Sequence, residues 1–246
     1  MKRYAGVPPV TIGSYGFCVP GLETPLCFAV VSDVHNFPSS LILNALRSIS
    51  PDAVLIPGDF IQSRNDSKCG LEFLRCAAST WPVYCSSGKE HDFEGPILTA
   101  IEETGAVFLR NQAMFFRGVW IGGLNTLQLM GQPESIQQAR IRIDRAWLEE
   151  FSRKEGYKLL LCHHPEYYVR FVREYPIDLI LAGHAHGGQW RILGRGIYAP
   201  GQGLFPRYTA GLYDDRLLVN RGLGNSHWIP RINNGPELLK VELSCA

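Results

Sequence analysis

The feature that most constrains this chain is a pattern met five times: a short apolar run that ends in a carboxylate or an imidazole. The first run is Cys27-Phe28-Ala29-Val30-Val31, followed by Ser32-Asp33-Val34-His35. Residues 53–56 lead to Pro57-Gly58-Asp59, and residues 82–86 lead to Ser87-Gly88-Lys89-Glu90-His91-Asp92. Residues 158–162 deliver His163-His164-Pro165, and residues 178–182 deliver Gly183-His184-Ala185-His186. Unbroken apolar runs of this length read as strands buried on both faces. Side chains at i and i+2 of an extended chain point the same way, so Asp33 and His35 are expected to converge. In an open α/β sheet, ligands bind beyond the carboxyl ends of the strands, where these polar residues fall. Oxygen donors beside imidazoles suit a divalent cation such as Mn, Fe or Zn. Five of the seven histidines (His35, His91, His163, His184 and His186) take these positions, whereas core histidines would be scattered. Asp92 either joins the set or caps the next turn, and His164 either supports a ligand or faces solvent.

Charge is balanced, with 24 basic and 23 acidic residues in 246, so no cationic face is forced and no nucleic-acid partner is expected. No apolar stretch follows Met1-Lys2-Arg3, so neither a signal peptide nor a membrane span is expected and the location is read as cytoplasmic. Seven cysteines without a Cys-x-x-Cys are expected to be small buried thiols in a reducing compartment. Between the runs, spacing predicts helices over 39–49, 70–79, 96–104, 137–152 (the strongest) and 166–174. A strand is expected at 107–109, and a hairpin over 113–116 and 119–123 about Arg117-Gly118. Residues 1–25 read as a short hairpin and 125–134 as irregular. From residue 190 the chain is strand-like and glycine-rich, with runs at 217–220 and 238–243. The expectation is a single α/β domain over 1–246, with 190–246 a strand-rich, substrate-side part.

In order and spacing, Asp33-Val34-His35, Gly58-Asp59, Gly88-Lys89-Glu90-His91-Asp92, His163 and Gly183-His184-Ala185-His186 resemble the motifs of the calcineurin-like metallophosphoesterase superfamily. Gly187-Gly188-Gln189, Phe205-Pro206-Arg207-Tyr208, Asn220-Arg221-Gly222-Leu223-Gly224 and Pro230-Arg231 are similar to one bacterial phosphodiesterase subgroup, the YkuE/YaeI type. The resemblance implies a four-layer α/β/β/α sandwich of two mixed sheets. It implies hydrolysis of a phosphodiester or phosphomonoester by a water activated between two metal ions (Mn, Fe or Zn). It places Asp33, His35 and His186 on one ion, Asp59 between the two, and the residue in the family's Asn slot, His163 and His184 on the other. Glu90 directly precedes His91 and is assigned to that slot, although the segment is one residue longer than the family's Gly-Asn-His. His91, with Asp92 beside it, is implied as the catalytic acid or charge stabiliser. Lys89 faces solvent or a substrate phosphate, or else intrudes so that only one metal binds well. Arg207, Arg221 and Arg231 are candidate phosphate contacts, since guanidinium pairs bidentately with phosphate.

The implied partner is a small-molecule phosphoester; peripheral membrane or lipid contact stays open, and no oligomeric state is indicated. The aromatic segment 197–213 either covers an apolar group of the substrate or packs on the core. Two other readings remain: a pyrophosphate hydrolase of the UDP-2,3-diacylglucosamine type, and a catalytically weakened metal-binding interaction module. Only the altered Glu90 segment favours the second.

Overall fold

In the computed structural model of the chain, the residues described are 8–63, 65–88, 95–127, 142–225 and 229–245. Strands β1 (Thr11–Val19) and β2 (Leu26–Val30) come first, followed by α1 (Ser39–Ile49), β3 (Ala53–Ile56), α2 (Lys68–Ala78) and β4 (Val83–Ser86). Next come α3 (Pro96–Glu102), β5 (Val107–Leu109), β6 (Gln112–Phe116), β7 (Val119–Gly123), β8 (Thr126–Leu127) and β9 (Arg142–Ile143). Helix α4 (Arg145–Ser152), β10 (Tyr157–Leu161), a π-helical turn (Tyr168–Val172) and β11 (Leu179–Ala182) follow. Two small hairpins pair β12 (Arg191–Ile192) with β13 (Arg195–Gly196) and β14 (Tyr198–Ala199) with β15 (Gly203–Leu204). The last strands are β16 (Gly211–Tyr213), β17 (Leu217–Val219) and β18 (Glu237–Cys245).

One six-stranded sheet has the order β1-β18-β2-β3-β4-β5 and the other β16-β17-β11-β10-β7-β6; both are mixed. Strand alternation explains why the apolar runs are unbroken. Val54 and Ile56 face α1, α2 and α3, meeting Ile42, Leu46, Phe73 and Leu74, while Leu55 between them faces the other sheet. Phe28, Val30 and Leu55 of the first sheet meet Ile121, Leu159 and Leu161 of the second. Leu160, between those two leucines, turns outward to Leu148 and Phe151 of α4 and to Tyr168. Each central strand thus has two apolar faces, as a sheet covered on both sides requires. The three interlayer cores give the α/β/β/α layering that the resemblance implied.

Four expectations are corrected. Among the described residues of the N-terminal segment no hairpin forms: β1 lies parallel to β18 over nine residue pairs, and β18 separates it from β2. That pairing spans the whole chain, so no local pattern announces it. Helix α4 starts at Arg145 and not at residue 137, because the Asp144 side chain accepts the backbone N–H of Trp147 as an N-cap. Ile143 pairs with Thr126 in a strand instead, and residues 128–141 lie outside those described. The 166–174 helix is present but widened to a π turn, closed by Arg173 N–H donating to Tyr168 O at 2.7 Å. All seven thiols are free, yet only Cys85 and Cys162 are buried; Cys18, Cys76 and Cys245 are exposed. No helix among the described residues is long and apolar enough to cross a membrane.

Candidate metal centre

The loops leaving β2, β3, β10 and β11 are tied to one another before any side chain is considered. Asp33 N–H donates to Gly58 O (3.2 Å), His35 N–H to Asp59 O (3.3 Å) and Gly183 N–H to His163 O (2.9 Å). Leu223 and Gly224, after β17, donate to Ser32 O and Asp33 O, and Asn220 N–H donates to Ala182 O (2.9 Å), which links the two pairs of loops. Asp33 and His35 do converge, but not through strand alternation. Strand β2 has ended at Val30, and Asp33 and His35 both have left-handed backbone, with φ of 51° and 47°. Asp59, His184 and His186 share that conformation, at 51°, 62° and 46°. L-residues adopt it at a cost, and such residues persist where surrounding structure over-determines them, commonly at functional sites.

The side chains form two groups, buried except for the half-buried His184. Asp33, His35 and His186 compose one, and Asp59, His163 and His184 the other; within each, donor atoms lie within 4.8 Å of one another. Asp33 Oδ1 is 3.5 Å from His186 Nε2 and 3.7 Å from His163 Nε2. Asp59 Oδ2 is 3.7 Å from His35 Nε2 and 3.6 Å from His163 Nε2, so it faces one histidine of each group. These separations are too long for hydrogen bonds. They match the edge of a tetrahedron of donors, each about 2.0–2.2 Å from a shared cation, which comes to roughly 3.4 Å. Two carboxylates buried this deeply also call for positive charge nearby. The donor set fits divalent cations.

His186 is held neutral, its pKa well below the ordinary value, chiefly by burial and then by the Arg231 charge. Its Nδ1 lies 3.3 Å from Gly224 O and 2.9 Å from Arg231 Nη2. Arginine can only donate, so the two contacts demand opposite tautomers. With Nδ1–H given to Gly224 O, the Nε2 lone pair faces Asp33, the orientation that a cation ligand needs. Arg231 then rests on the carbonyls of Gly222 (3.0 Å) and Gly224 (2.5 Å). Asp33 itself is fixed by the His184 N–H, at 3.1 and 3.2 Å from its two oxygens. Asn234 Nδ2 donates to His186 O and Gln189 O, and Asn220 Nδ2 to Val30 O, anchoring these loops from the C-terminal part.

The motif glycines make room for carboxylates. A Cβ on Gly183 would stand 2.5 Å from Asp33 Oδ2 and 2.8 Å from the Ser32 side chain. A Cβ on Gly88 would overlap Asp59 Oδ1. Both positions are closed to any larger residue unless the ligand moves.

A third group was not read from the sequence. His164, Glu166 and His184 bring donor atoms within 4.8 Å of one another beside the second group. His164 is buried, stacked on Tyr167 (4.5 Å, 22°) with its ring centroid 4.1 Å from that of His184. Burial pushes the Glu166 carboxyl up to about 7. The available signal was a carboxylate two residues after a His-His pair, which a strand-end pattern alone does not single out.

The other candidates divide. Arg221 is taken by an ion pair with Glu237 (2.9 Å) and donates to Thr11 Oγ1, at the β1/β18 edge of the sheet. Arg207 is exposed, with its guanidinium over the Tyr208 ring at 5.3 Å. Arg231 is turned to backbone carbonyls, as described above. Lys89, Glu90, His91 and Asp92 lie outside the described residues.

A profile of the calcineurin-like phosphoesterases matches residues 27–188, spanning every residue of the two groups. The chain belongs to the calcineurin-like phosphoesterase family. It is accordingly a hydrolase of phosphoester bonds, and its His/Asp groups are of the kind that hold divalent metal in metallophosphoesterases. It is 38% identical to the phosphodiesterase YaeI of Escherichia coli over 89% of this chain and 82% of the relative. It is 25% identical to the protein YpbG of Bacillus subtilis over 90% of this chain and 82% of the relative. The metallophosphoesterase YkuE of Bacillus subtilis is 36% identical over 33% of this chain and 29% of its own length. These likenesses support the bacterial subgroup to which the C-terminal motifs pointed.

Proposed function

We propose that the chain hydrolyses a small-molecule phosphodiester at a centre of two divalent cations. Asp33, His35 and His186 would hold one cation and His163, His184 and Glu90 the other, with Asp59 shared between them. The observation that carries this reading is that carboxylate oxygens stand between the two groups: Asp59 Oδ2 lies 3.7 Å from His35 Nε2 and 3.6 Å from His163 Nε2, and Asp33 Oδ1 3.5 Å from His186 Nε2 and 3.7 Å from His163 Nε2; the order of the family motifs gives the shared place to Asp59. When bound, two such ions supply a water whose pKa is lowered to about 7 and a clamp on the phosphoryl oxygens. Mixed nitrogen and oxygen donors favour Mn, Fe or Zn over Mg. The protein's own part is to hold the donors ready. The His184 N–H orients Asp33, Gly224 O orients His186, and neutral imidazoles leave the positive charge undiminished. Similarity to a phosphodiesterase over most of the chain favours a diester over a monoester. The test is a panel of soluble diesters and monoesters with Mn, Zn, Mg or chelator: diester turnover that chelator abolishes supports the reading, and chelator-insensitive turnover overturns it.

Gly183→Ala is expected to push the Asp33 carboxylate aside and weaken cation affinity by about 10–100-fold, the usual loss when a ligand's support is disturbed. Isothermal titration with Mn, beside a far-UV spectrum showing an intact fold, measures it. His91 is the proposed acid for the leaving oxygen. His91→Ala should lower kcat by about 10²–10⁴-fold with metal content unchanged. Loss of a metal ion in that variant would make His91 a ligand instead.

A further inference from the structure

We infer that the ribbon built by β12 to β15 and the segment around Ile232 is a docking surface for an anionic phospholipid bilayer. Of twelve large hydrophobic residues exposed among the described residues, six lie here. They are Trp190 (39% exposed), Ile192 (60%), Leu193 (99%), Leu204 (69%), Phe205 (79%) and Ile232 (49%). None of them joins any of the three cores.

Hydrogen bonds make the ribbon continuous. Ile232 bridges Trp190, Ile197 N–H donates to Trp190 O (2.9 Å), and Phe205 N–H donates to Ile197 O (2.8 Å). Leu193 and Phe205 occupy left-handed turn positions, with φ of 48° and 53°. Glycine or asparagine suits such a turn, and a bulky apolar residue there is an outlier. Neither packing nor turn chemistry therefore accounts for leucine and phenylalanine at these two tips.

Charge identifies the partner. From His184 to Tyr213 the chain carries Arg191, Arg195 and Arg207 and no carboxylate; the nearest acids along the chain are Asp178 and Asp214. Arg191 is spent on the carbonyls of Gly187 and Gly194, while Arg195 and Arg207 are exposed. An apolar patch of this extent marks an interaction surface. Leu193 and Phe205 hold turn positions, Ile192 and Leu204 precede them in their strands, and the exposed charges of the segment, Arg195 and Arg207, are both positive. Exposed apolar residues beside cations, with a tryptophan among them, suit the headgroup layer of an anionic leaflet. The ribbon also borders the metal-type ligands: Gly201, in the turn joining β14 to β15, would meet His184 Nε2 at 3.3 Å if it carried a Cβ. Docking there would bring the centre to a lipid surface.

Co-sedimentation of the full chain with vesicles tests this. Wild type should bind phosphatidylcholine vesicles containing phosphatidylglycerol and bind pure phosphatidylcholine vesicles far less. Leu193→Ser with Phe205→Ser should lower the partition coefficient at least about tenfold. Arg195→Glu should lower it about fivefold or more on the anionic vesicles alone. Both variants should keep wild-type turnover of a soluble diester, which tests the phosphoesterase reading separately. No binding to any vesicle, or equal binding by wild type and variants, overturns the inference. So does a wild-type dimer in solution that the Leu193/Phe205 variant abolishes, since the surface would then belong to a second copy.

Discussion

Asp59→Asn is expected to lower diester turnover by about 10³-fold or more and to leave no more than one tightly held metal ion per chain. Asparagine keeps the shape and one oxygen but removes the negative charge that faces His35 and His163 together. A neutral amide is a poor shared ligand for two dications, and a paired-metal clamp is worth several kcal/mol in the transition state. The fold should be retained, because the Asp59 main chain still accepts from His35 N–H and the variant buries one charge fewer. Steady-state kinetics in Mn, with metal content by mass spectrometry on the same sample, measures both effects. Turnover within a few-fold of wild type would show that Asp59 does not bridge.

The second large effect is on stability. Phe28 is fully buried in β2, facing the second sheet, with its ring 6.0 Å from that of Phe116. Phe28→Ala opens a cavity at the junction of the two sheets, where neither can collapse without breaking its own ladder. A loss of about 3–5 kcal/mol is expected, a large share of the roughly 5–15 kcal/mol typical of a folded protein. Phe115→Ala is the control. That ring is 56% exposed on β6 and touches Trp120, so its removal should cost under about 1 kcal/mol. Urea midpoints at constant slope separate the two variants.

The contrast also explains which parts of the molecule were legible in the sequence. Both faces of β2, β3, β10 and β11 are covered, so each wrote an unbroken apolar run, and the polar residue ending each run marked the site. The candidate ligands were legible because their residue types are rare in cores and recur at strand ends. Their geometry was not: Asp33 and His35 meet through left-handed turns, held by bonds to Gly58 and Asp59 that a linear pattern does not contain. The β1/β18 pairing escaped for the same reason, its partners lying more than two hundred residues apart. Helix α4 was drawn too long because apolar spacing carried through Asp144, whose capping role depends on one local hydrogen bond. Arg221 and Arg231 looked like phosphate ligands because arginine often is one. Instead Glu237 pairs with the first, and main-chain carbonyls hold the second against His186.

The most direct test of the central claim is the metal stoichiometry of the wild-type chain, stripped by chelator, reconstituted with Mn, and measured by native mass spectrometry. The two groups of ligands, with Asp59 between them, predict two ions per chain, bound together and lost together in Asp59→Asn. A wild-type chain that takes up no ion, or that holds two which Asp59→Asn retains, would contradict a centre built around that carboxylate.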